Sequence, residues 1–201
     1  MHKAAFFNEL GSNGACTVRL AMATCNPGDI FLGDAYFGQV KVAIYLKREH
    51  GIESICIVKT GNSRHPIHFF DKTMKEWPAG TELVLRSCFA GRNLVAIGHK
   101  YHSKTVANFI STYGTYSTTH GEPYKSKYRS AYGNYATRQI DRPIICTAYY
   151  KAANVIDSHN QQRQGYWKIE EHWGTIDGKL RGIMTVMAMT AVDTHLLTNY
   201  C

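Results

Sequence analysis

The stretch Asp29–Thr60, DIFLGDAYFGQVKVAIYLKREHGIESICIVKT, constrains the fold more than any other part of the chain. Ile30, Phe31 and Leu32 are a short apolar run, and a carboxylate, Asp34, stands where that run ends. From Phe37 to His50 the pattern is helical. Phe37, Val40 and Ile44 recur at i, i+3 and i+7, Lys47 and Arg48 crowd the last turn, and Gly51 follows as a stop. Val40, Val42, Ile44 and Leu46 also alternate as a strand would. The length of the run, its terminal glycine and the confinement of charge to its end favour the helix. Ser54–Val58 is rich in β-branched residues and reads as a buried strand. Strand, crossover helix and strand make a βαβ unit, which implies parallel strands. In open α/β sheets the chemistry gathers at the carboxyl ends of the strands, and Asp34 is at such an end.

The remaining chain changes character twice. Before the unit, Asn8–Gly14 is turn-rich, Ala15–Ala23 (ACTVRLAMA) alternates as a strand would, and Cys25–Gly28 (CNPG) is a turn. After it, a loop at Gly61–Pro66, a turn at Trp77–Gly80, a strand at Glu82–Cys88, a turn at Ala90–Asn93 and a strand at Leu94–His99 have hairpin texture without helical period. Lys100–Arg142 is basic and tyrosine-rich, with seven Lys and Arg against two acids and seven of the thirteen tyrosines. Helical period returns from Ala148 to about Trp173, with Tyr149, Ala153, Ile156, Asn160, Arg163 and Trp167 on one stripe. A last helix follows, capped by Asp177, with its stripe at Leu180, Ile183, Met184, Met187 and Ala191. The pattern is α/β material interrupted by β-rich material and closed by helices, a core with an inserted module.

Composition narrows the class of partner and compartment. A net charge of +8 suits a polyanionic partner and equally a mildly basic surface. Six cysteines at 16, 25, 56, 88, 146 and 201 include no CxxC pair and several lie in apolar runs, so they read as reduced thiols of an intracellular protein. The first residues lack the apolar core of a signal peptide, and the longest apolar stretch, Ile183–Val192, is far short of a membrane span.

Three constellations carry candidate chemistry. Asp34, flanked by the small residues Gly33 and Ala35, and Asp157, beside the polar run SHNQQRQ, are the carboxylates placed to hold Mg²⁺, which takes one or two carboxylates plus phosphate oxygens. Two ions held together stabilise both the attacking and the leaving oxygen of phosphoryl transfer. A turn residue and a solvated helix position are the plainer readings of the same aspartates. His65 with His68 and His99 with His102 form two HxxH pairs that zinc would accept, though no cysteine accompanies them. Basic residues interleaved with tyrosines in Lys100–Arg142 suit phosphate tracking and base stacking, or an ordinary polar surface. No P-loop, GxGxxG turn or GxSxG elbow is present.

In order and content these features resemble the DDE transposase domain of the piggyBac family, including the transposable-element-derived proteins that descend from it. IFLGDAYFGQVKVAIYLKREHGIESICIVKT is similar to the family's apolar strand ending in Asp, aromatic residue, helix, and strand running into a basic loop. NVIDSHNQQRQGYWKIEEHWGT resembles its Val/Ile-Asp motif and Arg- and Trp-containing helical tail, TAVDTHLLTNY its closing helix, and GACTVRL the strand before the organising unit. The similarity spans nearly the whole chain and is weakest from about Lys100 to Gln139.

The resemblance implies a partial RNase H-like α/β core, residues 1–60 and 143–201, interrupted by a β-rich insertion at 61–142. It implies DNA cleavage and strand transfer as the ancestral activity, Mg²⁺ or Mn²⁺ as the cofactor of a completed site, and Asp34 and Asp157 as the second and third metal-holding aspartates. The first aspartate of the triad has no counterpart, since Asp29 alone precedes Asp34 and lies at the wrong end of the same strand, and Asn160 stands where many members carry a further carboxylate. The expectation is a truncated, catalytically incomplete relative in the nucleus or nucleocytoplasm. DNA is its partner through Lys59, Lys125, Lys127, Arg129 and Arg163; a homodimer is compatible, and neither membrane nor small-molecule substrate is expected. The alternative is a non-catalytic DNA- or protein-binding module using the basic insertion.

Overall fold

The computed structural model describes residues 6–59, 64–89, 92–102, 104–113, 121–129, 133–162 and 177–200. The described chain runs α1 (Phe7–Thr24), β1 (Ile30–Gly33), α2 (Val40–His50), β2 (Glu53–Ile57), α3 (Ile67–Thr73), β3 (Glu82–Phe89), β4 (Arg92–His102), β5 (Thr105–Ser111), β6 (Tyr124–Arg129), β7 (Tyr135–Ile140), α4 (Ile144–Gln161) and α5 (Gly178–Tyr200). It divides into two compact units, Met1–Tyr149 and Tyr150–Cys201.

The βαβ unit forms as its pattern predicts. β1 and β2 pair in parallel, with Ile30 opposite Glu53 and Gly33 opposite Cys56. Gly51 ends α2 at φ +66°, a left-handed position that glycine adopts without a Cβ penalty. The helix starts at Val40, and Phe37 belongs to the turn before it. Val40, Val42, Ala43 and Leu46 are its buried residues.

Two expectations change here. Ala15–Ala23 is helical, part of α1, and so are the GACTVRL segment and the stretch Asn8–Gly14 that reads as turn-rich. Its buried residues Leu10, Gly14, Val18 and Ala21 recur every three or four positions, while Leu20 and Met22 of the apparent alternation are exposed. Alanine, leucine, methionine and arginine favour the helix, and α2 offers a face to pack against. Gly11, at φ +74°, breaks the helical backbone near its start. The second change is at the C-terminal end. The buried stripe of α5 is Met184, Ala188 and Val192, whereas Leu180, Ile183 and Met187 are exposed. Both faces of that helix are apolar, so periodicity did not distinguish them. In α4, which begins at Ile144, Ile156 is likewise exposed. Asp177 caps α5, accepting a bond from the Leu180 N–H at 3.4 Å.

The sheet is mixed, with order β1-β2-β5-β4-β3. β3, β4 and β5 form an antiparallel meander from within the 61–142 stretch, and β5 pairs antiparallel with β2, Ile57 opposite Phe109. One sheet therefore crosses residue 60. The junction is doubly bonded at its end: the Thr112 N–H donates to the Ser54 carbonyl at 3.0 Å and the Ser54 N–H to the Thr112 hydroxyl oxygen at 2.9 Å. Leu10, Val18, Val42, Leu46, Cys56 and Ile110 belong to one buried cluster between the sheet and the α1–α2 pair. α3 packs on β4 and β5, and Tyr149 meets the Phe109 ring edge-on at 5.5 Å. β6 and β7 make a separate two-stranded ribbon. No helix of the described residues is long and apolar enough to cross a membrane.

His99 lies fully buried on β4, and neither ring nitrogen has a hydrogen-bond partner among the described residues. Burial first, and the Arg142 charge second, hold its pKa down to about 4. Below the ordinary value near 6.5 the unfolded chain takes up a proton that the folded protein refuses, so stability falls as pH drops from there towards 4. His65, also lowered by burial, acts in the same direction. Thermal melts at about pH 7.5 and about pH 5 should show this loss, about 2 kcal/mol for His99. His99→Leu should remove part of it; equal pH dependence in both proteins would show that His99 is not the source.

Candidate functional site

The site begins with a turn. β1 ends at Gly33, and the Asp34 carboxylate accepts a bond from the Tyr36 N–H at 2.8 Å. The Asp34 carbonyl accepts two more, from the N–H groups of Phe37 at 3.1 Å and Gly38 at 2.9 Å. This is an aspartate-led turn of the kind that mimics a backbone turn. The plain reading of Asp34 as a turn residue is thus realised, and its side chain remains exposed. Gly38 passes so close to the end of β2 that a methyl group there would overlap the Ile57 carbonyl oxygen. The first turn of α2 is thereby fixed beside the carboxyl ends of β1 and β2.

A cavity of about 360 Å³ opens at that place, lined among others by Asn13, Tyr36, Gln39, Lys41, Lys59 and Arg64. The Tyr36 hydroxyl donates to the Asn13 side-chain oxygen at 3.2 Å and ties α1 to the turn. No side chain caps α2, no acid lies in its first turn, and Lys41 does. A cation there opposes the helix dipole, so the first turn and the three basic side chains together favour an anion. On β2 behind the turn, burial pushes the Cys56 thiol up to about 12, with the Asp34 charge adding to the effect. That thiol is an inert core group.

The expected residues distribute unevenly. Lys59, after β2, lines the cavity whose wall includes Ala35 and Tyr36, the neighbours of Asp34. Asp157 lies exposed on α4 within the second unit. In that unit the His159 imidazole meets the Asp193 carboxylate at 3.0 Å, a link between α4 and α5. Lys125 and Lys127 are exposed on β6, Arg129 ends that strand opposite Tyr135, and Arg163 lies outside the described residues. Lys41 and Arg64 were missed. Their signals were a lysine in the first turn of a helix without acids and an arginine in the loop GNSRHP.

Among the described residues no three His, Cys, Asp or Glu gather to hold an ion. The two HxxH pairs do not converge on one: His65 and His99 are buried, and the His65 Nε2 meets the Phe109 carbonyl at 3.0 Å, while His68 and His102 are exposed. Asp34, with one oxygen committed to its turn, suits Mg²⁺ only as part of a set completed by other oxygens.

No family model matches the chain, and no curated protein sequence matches it. Among solved structures, a piggyBac transposase in a synaptic complex with hairpin DNA, determined by cryo-EM, is similar with a TM-score of 0.63. The alignment covers 99% of this chain and 36% of the transposase chain, at 12% sequence identity. The likeness is one of fold, and the chain spans about a third of that transposase's length.

The close approach at Gly38 makes a stability prediction. Gly38→Ala should destabilise the protein by about 1–3 kcal/mol, because the added methyl must displace the turn or β2. Urea unfolding checks this; a midpoint unchanged from wild type would mean that the turn moves aside freely.

Proposed function

We propose that the chain is a piggyBac-transposase-like, DNA-binding domain built on an RNase H-like core, with the Asp34 strand end as its DNA-facing site. The observation that carries this reading is the cationic cleft of Lys41, Lys59 and Arg64 at the carboxyl ends of β1 and β2, next to the Asp34 turn. The fold likeness supports it. A DNA phosphate in the cleft would meet the first N–H groups of α2 and the lysine ammonium groups. Asp34 and Asp157 are the carboxylates that would contribute to Mg²⁺ or Mn²⁺ binding on this reading, and the ion would stabilise charge on the oxygens of a reacting phosphate. On this reading the protein works in the nucleus or nucleocytoplasm.

The chain by itself is read as catalytically incomplete. Mg²⁺ requires near-octahedral oxygen coordination, and a partial ligand set holds it weakly. Asn160 offers an amide oxygen without charge. A non-catalytic DNA-binding role is the second reading, for which the cationic cleft of Lys41, Lys59 and Arg64 would suffice without a metal.

Two outcomes test these statements. Asp34→Cys with Asp157→Cys, treated with a short bifunctional thiol crosslinker, should give an intramolecular link absent from either single variant; no link would count against a shared site. In Mg²⁺ or Mn²⁺ the 201-residue chain should leave supercoiled plasmid intact. Nicking abolished by Asp34→Ala and by Asp157→Ala would refute incompleteness.

A further inference from the structure

The ribbon of β6 and β7 has an unusual charge pattern. Residues 124–140 contain four cations, Lys125, Lys127, Arg129 and Arg138, and no acid. The antiparallel register sets Lys125 opposite Gln139 and Lys127 opposite Thr137. Cross-strand partners share a face, so these four residues lie on one side of the ribbon, and all four are exposed. Tyr135, at the far end of that face, is 80% exposed.

The base of the ribbon is anchored differently. Ile140 is buried, and its partner in the register is Tyr124. The Arg142 guanidinium sits 4.2 Å from the centre of the Tyr124 ring, and Tyr101 of β4 packs against the same ring at 5.6 Å. The ribbon is thus held to the first unit at Tyr124 and Ile140, and its Lys125–Gln139 face is left to solvent. An isolated two-stranded ribbon is marginal in water. Tertiary contacts at one end hold this one, and the cationic face itself contributes no buried apolar surface.

We infer that the β6–β7 ribbon is a second nucleic-acid-binding surface, which seats its Lys125/Lys127 face in a groove of duplex DNA and contacts the phosphates. Successive same-face residues of a strand are about 6.6–6.8 Å apart, roughly two base-pair steps along the duplex axis. The major groove admits a two-stranded ribbon. Thr137 and Gln139 place neutral hydrogen-bonding groups beside the lysines, so an approaching phosphate strand meets no like charge on this face. Duplex is favoured over single strands because tracking a single strand uses successive aromatic platforms. Here the lysine face offers one described exposed ring, Tyr135 at its far end, and the Tyr124 ring of the other face is engaged by Arg142 and Tyr101. The inference stands on the ribbon's own charge and register and does not require the Asp34 cleft.

The test is fluorescence anisotropy of the full chain with a labelled duplex and with one of its strands alone, over a range of salt. The wild type should bind the duplex more tightly than the strand. Lys125→Gln with Lys127→Gln should make the slope of log affinity against log salt shallower by about 2, and Lys125→Arg with Lys127→Arg should restore it. Circular dichroism of each variant confirms the fold. A slope unchanged in the glutamine pair, with wild-type binding intact, overturns the ribbon while leaving the DNA reading in place. Tighter binding to the single strand also overturns it. A slope lowered by the ribbon pair and unaffected by Lys59→Gln supports the ribbon and counts against the cleft. An absence of duplex binding by the wild type overturns both.

Discussion

The contact between the Gly38 backbone and the Ile57 carbonyl oxygen decides how the first unit is arranged. It brings the start of α2 against the end of β2, which only a residue without a side chain permits. The turn before it is closed by three bonds to Asp34, one to the carboxylate and two to the carbonyl. Everything that makes the site a site follows from this placement. The uncapped first turn of α2 faces the cavity, Lys41 enters it with the helix, and Lys59 arrives at the end of β2.

The electrostatics of that corner run against what a free helix would prefer. A basic residue in the first turn costs a few tenths of a kcal/mol at an exposed position, and an acid there would stabilise by a similar amount. α2 has its cations at both ends. Those in the last turn, Lys47 and Arg48, complement the dipole, and Lys47 also pairs with Glu53 across the Gly51 stop. Lys41 has no such local reason. An anion in the cleft would supply one, and on the proposed reading that anion is a DNA phosphate. Two cationic surfaces on one unit give a net charge of +8 a structural location that composition alone lacks.

The sheet shows how long-range pairing extends a local unit. β1 and β2 form a parallel pair with helix α2 between them in sequence, and a parallel pair alone would leave β2 with an open edge. β5 closes that edge from more than fifty residues away, with the Ser54–Thr112 bonds ending the ladder. Phe109 and Ile110 then point to opposite faces, one towards Tyr149 and one into the cluster under α1 and α2. The meander β3–β4–β5 is for this reason part of the sheet that carries Asp34. Its cost is a histidine and a lysine, His99 and Lys100, taken out of water on β4; the Lys100 ammonium donates to the Lys75 carbonyl at 3.0 Å, and the imidazole stays neutral.

The βαβ unit, its Gly51 stop, the strands at Glu82 and Leu94 and the cap at Asp177 were legible in the sequence, because each depends on neighbours within a few residues: apolar period, a left-handed glycine, a side-chain cap. The piggyBac-like fold was legible from the order of motifs. What needed the tertiary structure had no local signal. Ala15–Ala23 alternates in hydrophobicity, and only the α2 surface selects its helical face. Two apolar faces on α5 left its buried stripe to packing. Lys41 and Arg64 are unremarkable in sequence and acquire a role when the Gly38 contact and the turn at Asp34 bring them to one cavity. Lys125 and Lys127 were visible as charge. That they share a solvent face with Thr137 and Gln139 was decided by the antiparallel register, since a slip of one residue would have turned the lysines to the opposite side.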